Sequence, residues 1–308
     1  MKEEMEIDLV IKLGGAAISN KNEENISFGD SQPKPNLGVL DLCLQQISVA
    51  LENKLKVVLV HGAGGYGHHF ASKVCSLLVL IPKTLKTFGG KHKVNEGLKS
   101  NKSAGQVREK VFGACLTHFG LQTLNNLVIE KLLKKGISSC SIQPFGCWVS
   151  KGEEKEFGNR KFLETVERAL SVGMLPVVHG DVVFDDEIQF SILSGDVIMK
   201  SVAKKFKAKR AVFLTDVEGV FDKPPNEEGS KLLREIKVDS KGTPDFFPVT
   251  KCSESKDVTG GMETKVKNAV KIVSEASCTC FIVKAGTTAS LQAILGEEVE
   301  EGTKFSSC

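Results

Sequence analysis

Short apolar runs alternate with amphipathic stretches along most of this chain, and this alternation limits the folds that it can adopt. Residues 7–13 and 56–61 have the pattern of buried strands, and residues 37–53 between them carry apolar side chains at helical spacing. The same patterns predict strands at 137–142, 175–179, 211–214 and 279–283, and helices at 121–135, 162–172, 197–206 and 262–276. We therefore predict an α/β fold, a three-layer sandwich in which helices cover both faces of a mostly parallel central sheet.

Three segments interrupt this pattern. Residues 182–187 resemble a hairpin stem and its turn, so a small antiparallel element is expected after His179. Residues 83–104 and 224–256 are expected to be long mobile loops, of the kind that often serve as lids or substrate loops in enzymes.

The composition excludes several functional classes. The 41 basic and 38 acidic residues give a formal net charge of +3. This excess of positive charge is too small to indicate nucleic-acid binding. The locally basic stretch 83–110 lacks interleaved aromatic residues and is expected to be a solvated loop. No apolar run is long enough to span a membrane. Nine scattered cysteines without a CxxC pair, in a chain that opens on acidic residues rather than a secretory signal, indicate reduced thiols and a cytoplasmic location.

The first candidate binding loop follows the first predicted strand. Gly14 and Gly15 come directly after this strand, and glycines there let backbone N–H groups approach an anion. Lys12 and Lys21 bracket the loop and could place positive charge at a transferring phosphoryl group. The alternative is a tight strand-to-helix turn with two surface lysines.

The second candidate loop, residues 61–69, formally satisfies the dinucleotide pattern G-x-G-x-x-G through Gly62, Gly64 and Gly67. It follows the second strand rather than the first, and residues 81–90 lack the acidic residue that would bind a ribose. A dinucleotide-dependent dehydrogenase is therefore disfavoured, whereas a phosphate-binding loop remains sound. His68 could donate a hydrogen bond to a phosphate oxygen, although an isolated histidine is more often structural.

Two Gly-Asp pairs form the third signal. Gly180 and Asp181 follow a predicted strand, and Gly195 and Asp196 precede a predicted helix. Carboxylates at such positions can orient a lysine or hold Mg²⁺ through water. The alternatives are a turn aspartate for Asp181 and a helix cap for Asp196.

The fourth signal combines two segments of the second half. Thr215, Asp216 and Gly219 follow a strand, whereas Gly261 and Lys265 lie at the start of a helix, where nucleotide phosphates could bind. The chain contains neither the P-loop pattern G-x-x-x-x-G-K-[ST] nor the protein-kinase motif H-R-D.

The order of these motifs resembles the amino-acid kinase superfamily over residues 7–288. Within that group, the loop Gly64-Gly65-Tyr66-Gly67-His68 resembles the isopentenyl phosphate kinases, whose histidine contacts the acceptor phosphate. The segments 12–21, 124–125 and 143–145 resemble the same family. Residues 84–119 match the family pattern poorly, so the resemblance does not define the wall of the acceptor pocket.

The resemblance implies an ATP- and Mg²⁺-dependent kinase that phosphorylates isopentenyl phosphate and forms a homodimer. Residues 1–185 would bind the phosphate acceptor and residues 186–308 would bind ATP, within one continuous domain. The implied catalytic residues are Lys12, Lys21, His68, Asp181 and Asp196; the implied nucleotide ligands are Lys12, Gly14, Gly15, Gly65, Thr215, Asp216, Gly219, Gly261 and Lys265; and the implied acceptor ligands are Ala63, Gly64, His68 and Gly180. No residue is assigned as a metal ligand.

Two alternatives remain within this fold. One is a fosfomycin-type phosphonate or phosphate kinase, which shares the loop histidine but has a polar acceptor pocket. The other is a catalytically silent nucleotide-binding regulator, which the presence of Lys12, Lys21 and Lys265 disfavours. The apolar stretch 74–81 would face the isoprenoid tail or simply pack in the core.

Overall fold

The computed structural model describes residues 4–19, 35–64, 66, 104–225, 227–246 and 261–308. Its strands are β1 Leu9–Leu13, β2 Val57–His61, β3 Ser139–Ile142, β4 Val149–Lys151, β5 Glu154–Gly158, β6 Leu175–His179, β7 Asp181–Asp185, β8 Gln189–Leu193, β9 Arg210–Thr215, β10 Glu235–Val238, β11 Thr279–Lys284 and β12 Thr303–Ser307. Its helices are α1 Gly15–Ile18, α2 Leu37–Glu52, α3 Ala104–Lys134, α4 Arg160–Ser171, α5 Gly195–Lys205, α6 Gly261–Ala276 and α7 Thr288–Leu295.

Eight of the strands form the central sheet, in the order β10-β12-β11-β9-β1-β2-β6-β3. All neighbours in it are parallel except β11 and β12. The mostly parallel sheet predicted from the sequence is therefore confirmed. The central strand β1 pairs with β2 on one side and with β9 on the other, so segments from both halves of the chain share this sheet.

Side-chain alternation along β1 separates the two layers of helices. Leu9, Ile11 and Leu13 pack on the face that α2, α3 and α7 cover, whereas Val10 packs on the opposite face with α4, α5 and α6. Helices therefore lie on both faces, which confirms the three-layer arrangement. Because side chains alternate along a strand, Lys12 lies on the Val10 face, close to α5.

A smaller sheet in the order β5-β4-β7-β8 follows the end of β6. The strands β7 and β8 form an antiparallel hairpin, which confirms the small antiparallel element expected after His179. Asp185 fixes its turn, because Oδ1 of this residue accepts hydrogen bonds from the backbone N–H groups of Glu187 and Ile188. The hairpin begins at Asp181, one residue beyond Gly180.

Two loop predictions were wrong in part. Residues 235–238, inside the segment expected to be a loop, form β10 and pair with the C-terminal strand β12. Ile236 and Val238 are buried there, so a short alternating strand was overlooked among charged neighbours. The helix α3 begins at Ala104, well before residue 121, and includes the last residues of the lysine-rich stretch. Among the described helices, none is both long and apolar enough to cross a bilayer.

Candidate active site

Turns that contain glycine converge at the carboxyl edge of the central strands. The N–H of Gly14 donates to the carbonyl oxygen of Leu214 at 2.7 Å, which joins the end of β1 to the end of β9. A Cβ atom at Gly15 would overlap the backbone of Gly64, so the turn after β1 and the turn after β2 are in direct contact. Gly64 has a φ of +53°, in the left-handed region that favours glycine.

The turn after β6 joins the same edge. Gly180 donates its N–H to the carbonyl oxygen of His61 at 3.2 Å. A Cβ atom at Gly180 would lie 2.8 Å from the backbone nitrogen of Gly195, the first residue of α5. The turns after β1, β2 and β6 and the first residue of α5 therefore meet in one place.

A buried ion pair joins Lys12 on β1 to Asp196 in the first turn of α5. The second carboxylate oxygen of Asp196 accepts a hydrogen bond from the Asn268 side chain at 3.3 Å. Ser194 is the cap of α5, because its hydroxyl accepts from the N–H of Asp196 at 3.1 Å. The cap alternative for Asp196 is therefore not the observed arrangement, and its carboxylate instead orients the lysine.

Lys12 is held close to its partners by packing as well as by charge. Its ammonium lies 5.8 Å from the centroid of the Phe213 ring, and only 10% of its side chain is exposed. A buried charge needs a partner, which explains the position of Asp196. Lys265 is half-buried on α6, three residues before Asn268, so both lie on one face of that helix.

The opposite face of the sheet carries a buried pair of histidines. His61 and His179 stack at 5.2 Å between ring centroids, and His61 Nε2 lies 3.1 Å from Oδ1 of Asn125. Burial lowers the pKa of His61, while burial and the neighbouring His61 lower the pKa of His179 to about 3. Both rings are therefore uncharged at neutral pH, each with a single N–H.

Asp181 lies on the same face as this histidine pair. Its side chain is fully buried, Oδ1 accepts from the N–H of Val182, and Oδ2 accepts from Nδ1–H of His118, both at 2.7 Å. Burial raises the pKa of Asp181, and the hydrogen bond from His118 opposes that rise. The observed partner of Asp181 is thus a histidine on α3.

The sequence analysis did not identify His118. The predicted helix begins only at Leu121, three residues after His118. His118, Gln122 and Asn125 are four and three residues apart, which places three polar side chains on one face of α3. That spacing is the signal that could have found His118.

Three of the residues expected to bind nucleotide lie in different parts of the described structure. Thr215 ends β9 next to the Gly14 turn, and its hydroxyl donates to the exposed Asp216 at 3.0 Å. A Cβ atom at Gly219 would lie 2.7 Å from Oγ1 of Thr303, so this glycine permits close packing against β12. Gly261 is the first residue of α6.

Three of the predicted site residues, Lys21, Gly65 and His68, lie outside the described residues, as does the apolar stretch 74–81. Ala63 and Gly64 are described and lie at the meeting point of the turns. Within the ranges that the structure describes, there is no group of three or more His, Cys, Asp or Glu side chains arranged to hold a metal ion.

Comparison with known proteins identifies relatives of this chain. Residues 9–284 match the model of the amino acid kinase family. The isopentenyl phosphate kinase of Arabidopsis thaliana is 30% identical, with 94% of this chain and 91% of the relative covered. The isopentenyl phosphate kinase of Methanothermobacter thermautotrophicus is 27% identical, with 96% and 98% covered. A crystal structure of an isopentenyl phosphate kinase superposes with a TM-score of 0.71 at 25% identity, covering 96% of this chain and 99% of that one.

Proposed function

Since the chain belongs to the amino acid kinase family, we propose that it transfers the γ-phosphoryl group of ATP to isopentenyl phosphate, which yields isopentenyl diphosphate and ADP. The likeness to isopentenyl phosphate kinases extends over nearly the whole chain. The observation that carries the proposal is the buried Lys12–Asp196 pair, which fixes a lysine ammonium where the glycine turns converge.

The chemistry requires alignment and positive charge rather than a general base. The attacking atom is an oxygen of the acceptor phosphate, which is already anionic at neutral pH. Phosphoryl transfer then depends on positioning the reactants and on neutralising the charge on the transferred group. Lys12 supplies that charge from the central strand, and Asp196 with Asn268 keeps its ammonium at the edge of the sheet. Lys21 supplies a second charge to the transition state.

The nucleotide occupies the side of the edge next to β9. We assign its phosphates to Lys12, Gly14, Gly15, Gly65, Gly261 and Lys265, and the remainder of ATP to Thr215, Asp216 and Gly219. The contact of the Gly14 turn with the end of β9 supports this placement, because it brings Thr215 beside that turn. Bound Mg²⁺ would neutralise phosphate charge, and it usually takes one or two carboxylates besides phosphates and water. Among the described residues, Asp196 and Asp181 are two buried carboxylates at this edge.

The acceptor phosphate lies on the other side of the edge, at Ala63, Gly64, His68 and Gly180. A row of aromatic rings begins beside this position: Phe145 stacks on His118 at 4.5 Å, and Phe184 lies 5.0 Å from Phe145. Such a row suits the hydrocarbon part of isopentenyl phosphate. A fosfomycin-type kinase would need a polar wall here, so that alternative is not favoured.

We further propose that the protein acts as a homodimer in the cytoplasm. Phe112, Cys115 and Phe119 are exposed and lie on one face of α3, so they offer an apolar surface for a second copy. Light scattering during gel filtration should give twice the mass of the chain. A monomeric mass would exclude the dimer without affecting the proposed reaction.

The reaction is tested by incubating the protein with ATP, Mg²⁺ and candidate phosphate acceptors. We expect ADP release with isopentenyl phosphate and the appearance of isopentenyl diphosphate in the mass spectrum. Fosfomycin in place of isopentenyl phosphate should leave ADP release at its background rate. The proposal is wrong if fosfomycin is the better acceptor. No acceptor-dependent ADP release at all would favour a silent nucleotide-binding protein.

A further inference from the structure

Three polar side chains on one face of α3 reach the carboxyl edge of the central sheet. His118 contacts Asp181 at the start of β7, and Asn125 contacts His61 at the end of β2. Between them, Gln122 donates to the side chain of Gln143 at 3.1 Å. The helix is therefore attached to the site by a stripe of polar contacts, of which one involves a charged group.

The two buried carboxylates at this edge have different basic partners. Asp196 is paired with Lys12 and also accepts from Asn268. Asp181 is hydrogen-bonded to His118, whereas His179 lies 3.7 Å from the same carboxylate oxygen. His179 does not compensate the charge, because burial holds its pKa at about 3. In the described part of the chain, His118 is therefore the base that is hydrogen-bonded to Asp181.

The position of Asp181 makes this charge important for a phosphate acceptor. Asp181 follows Gly180 directly. Gly180 packs against the first residue of α5, at the point where the glycine-containing turns meet. A phosphate monoester carries more than one negative charge at neutral pH, so a buried carboxylate beside it that lacks its hydrogen-bond donors would repel it more strongly. Both oxygens of Asp181 are already engaged, one by His118 and the other by the N–H of Val182.

Packing also fixes the orientation of His118. Its ring stacks on Phe145, with 4.5 Å between the centroids and an angle of 29° between the planes. Only 17% of the His118 side chain is exposed, so the ring has little freedom to turn Nδ1 away from the carboxylate. His118 and Asp181 therefore form a contact that is largely buried and fixed by packing.

We propose that His118 is a positioning residue for the acceptor phosphate, which acts by holding the buried Asp181 carboxylate through a hydrogen bond. This inference rests on the proposed function, because it requires a phosphate-bearing acceptor beside Gly180. In this proposal His118 acts through the hydrogen bond to Asp181 and makes no contact with ATP. Its loss should therefore weaken acceptor binding and leave nucleotide binding unchanged.

The test measures the Kd of isopentenyl phosphate by calorimetry without ATP, and the KM values of both substrates, for a set of variants. His118→Leu should raise the Kd and the KM of the acceptor about tenfold, the usual effect of losing one hydrogen bond to a charged group. The KM of ATP should not change. Adding Asp181→Asn to His118→Leu should restore the Kd of the acceptor, measured without ATP, towards the wild-type value, because no buried carboxylate then lacks its hydrogen-bond donor.

Two further substitutions at His118 keep the proposal testable if His118→Leu folds poorly. His118→Asn keeps an N–H donor near the position of Nδ1 and should retain most of the acceptor affinity. His118→Gln places its donor farther out and should behave like His118→Leu. Gln122→Leu is the matched control: it removes an uncharged contact from the same face of α3 and should leave the Kd of the acceptor unchanged.

Several results would overturn the inference. Unchanged acceptor affinity in His118→Leu would remove the residue from the acceptor site. Equal losses in His118→Asn and His118→Gln, or losses that simply add in the double variant, would indicate a structural role instead. Failure of the wild-type protein to phosphorylate isopentenyl phosphate would overturn the proposed function and this inference together. Normal wild-type turnover with unaffected variants would overturn only the inference.

Discussion

Lys12 and Asp196 form a buried ion pair although 184 positions separate them in the sequence. The pair joins the central strand β1 to the first turn of α5, and both side chains are at least nine-tenths hidden from solvent. Its formation requires that the two halves of the chain be correctly assembled. In the proposed reaction, the same contact that holds the fold together also orients the lysine ammonium for phosphoryl transfer.

Asp196→Asn should therefore affect both stability and catalysis. Removal of one partner of a buried ion pair leaves the other charge uncompensated, which destabilises a protein by about 3–5 kcal/mol. Urea denaturation should show this loss in the free energy of unfolding, and kcat should fall because Lys12 is no longer oriented. Glu130→Gln provides the control, since it breaks an exposed pair with Lys134 and should change neither quantity measurably.

Lys21→Ala should lower kcat by roughly 10²–10³ and leave the melting temperature unchanged. The sequence predicts that Lys21 is exposed in the loop after the first strand. Lys12→Ala should differ from it, because this change also leaves Asp196 buried without its cation. Steady-state kinetics and thermal unfolding of both variants separate the two roles. An unchanged kcat in Lys21→Ala would remove Lys21 from the mechanism.

His68→Ala should raise the KM of isopentenyl phosphate by roughly tenfold or more, because a hydrogen bond to an anion is lost, while the KM of ATP stays near the wild-type value. His61→Ala should behave in the opposite way. Its ring is buried, stacked on His179 and in contact with Asn125, so its removal should mainly lower the melting temperature. If His61→Ala alone abolished acceptor turnover at full stability, the assignment of the two histidines would be reversed.

Gly15→Ala should inactivate the enzyme and lower its melting temperature. The added methyl group would overlap the backbone of Gly64, which cannot move without displacing the turn after β2. Gly38→Ala is the matched control on α2, where the nearest atom to the new methyl group would be 3.9 Å away. That change should be neutral or stabilise the protein by about 0.5–1 kcal/mol, through the higher helix propensity of alanine. Wild-type activity in Gly15→Ala would show that the two turns can separate.

His179 makes folding stability depend on pH. Its pKa is about 3 in the folded protein, below the ordinary value of 6.5, because burial disfavours the charged ring. The unfolded chain therefore binds a proton between these values that the folded chain does not, and stability falls as the pH is lowered through this range. The free energy of unfolding should decrease from pH 7 to pH 5. A His179→Leu variant should show a shallower decrease, and identical slopes for the two proteins would contradict the assignment.

The fold was predictable where hydrophobic periodicity was strong. The strands β1, β2 and β6 are runs of buried residues, and the predicted bounds lie within two residues of those observed. By contrast, β10 has four residues and is completed only by pairing with the distant β12. Its alternation of two buried and two charged residues is too short to identify a strand without knowledge of the partner.

Several residues of the candidate site were predictable from the sequence, whereas the contacts between them were not. Lys12, Gly15 and Asp196 stood out as members of motifs, whereas their meeting depends on tertiary structure. His118 was missed for a physical reason: Gly113 and Gly120 lower the helix propensity of this segment, so the first half of α3 was not recognised. Packing against the sheet stabilises the helix there and overrides the local preference.

The central position of β1 also has a consequence for synthesis of the protein on the ribosome. The strand emerges early, but its partner β9 ends at Thr215, so one edge of β1 stays unpaired until two thirds of the chain has been translated. A nascent chain that stops near residue 185 would expose a row of unsatisfied backbone groups beside apolar side chains, which is a template for aggregation. We expect a fragment ending there to be insoluble, and the two halves to yield active enzyme only when they are produced together.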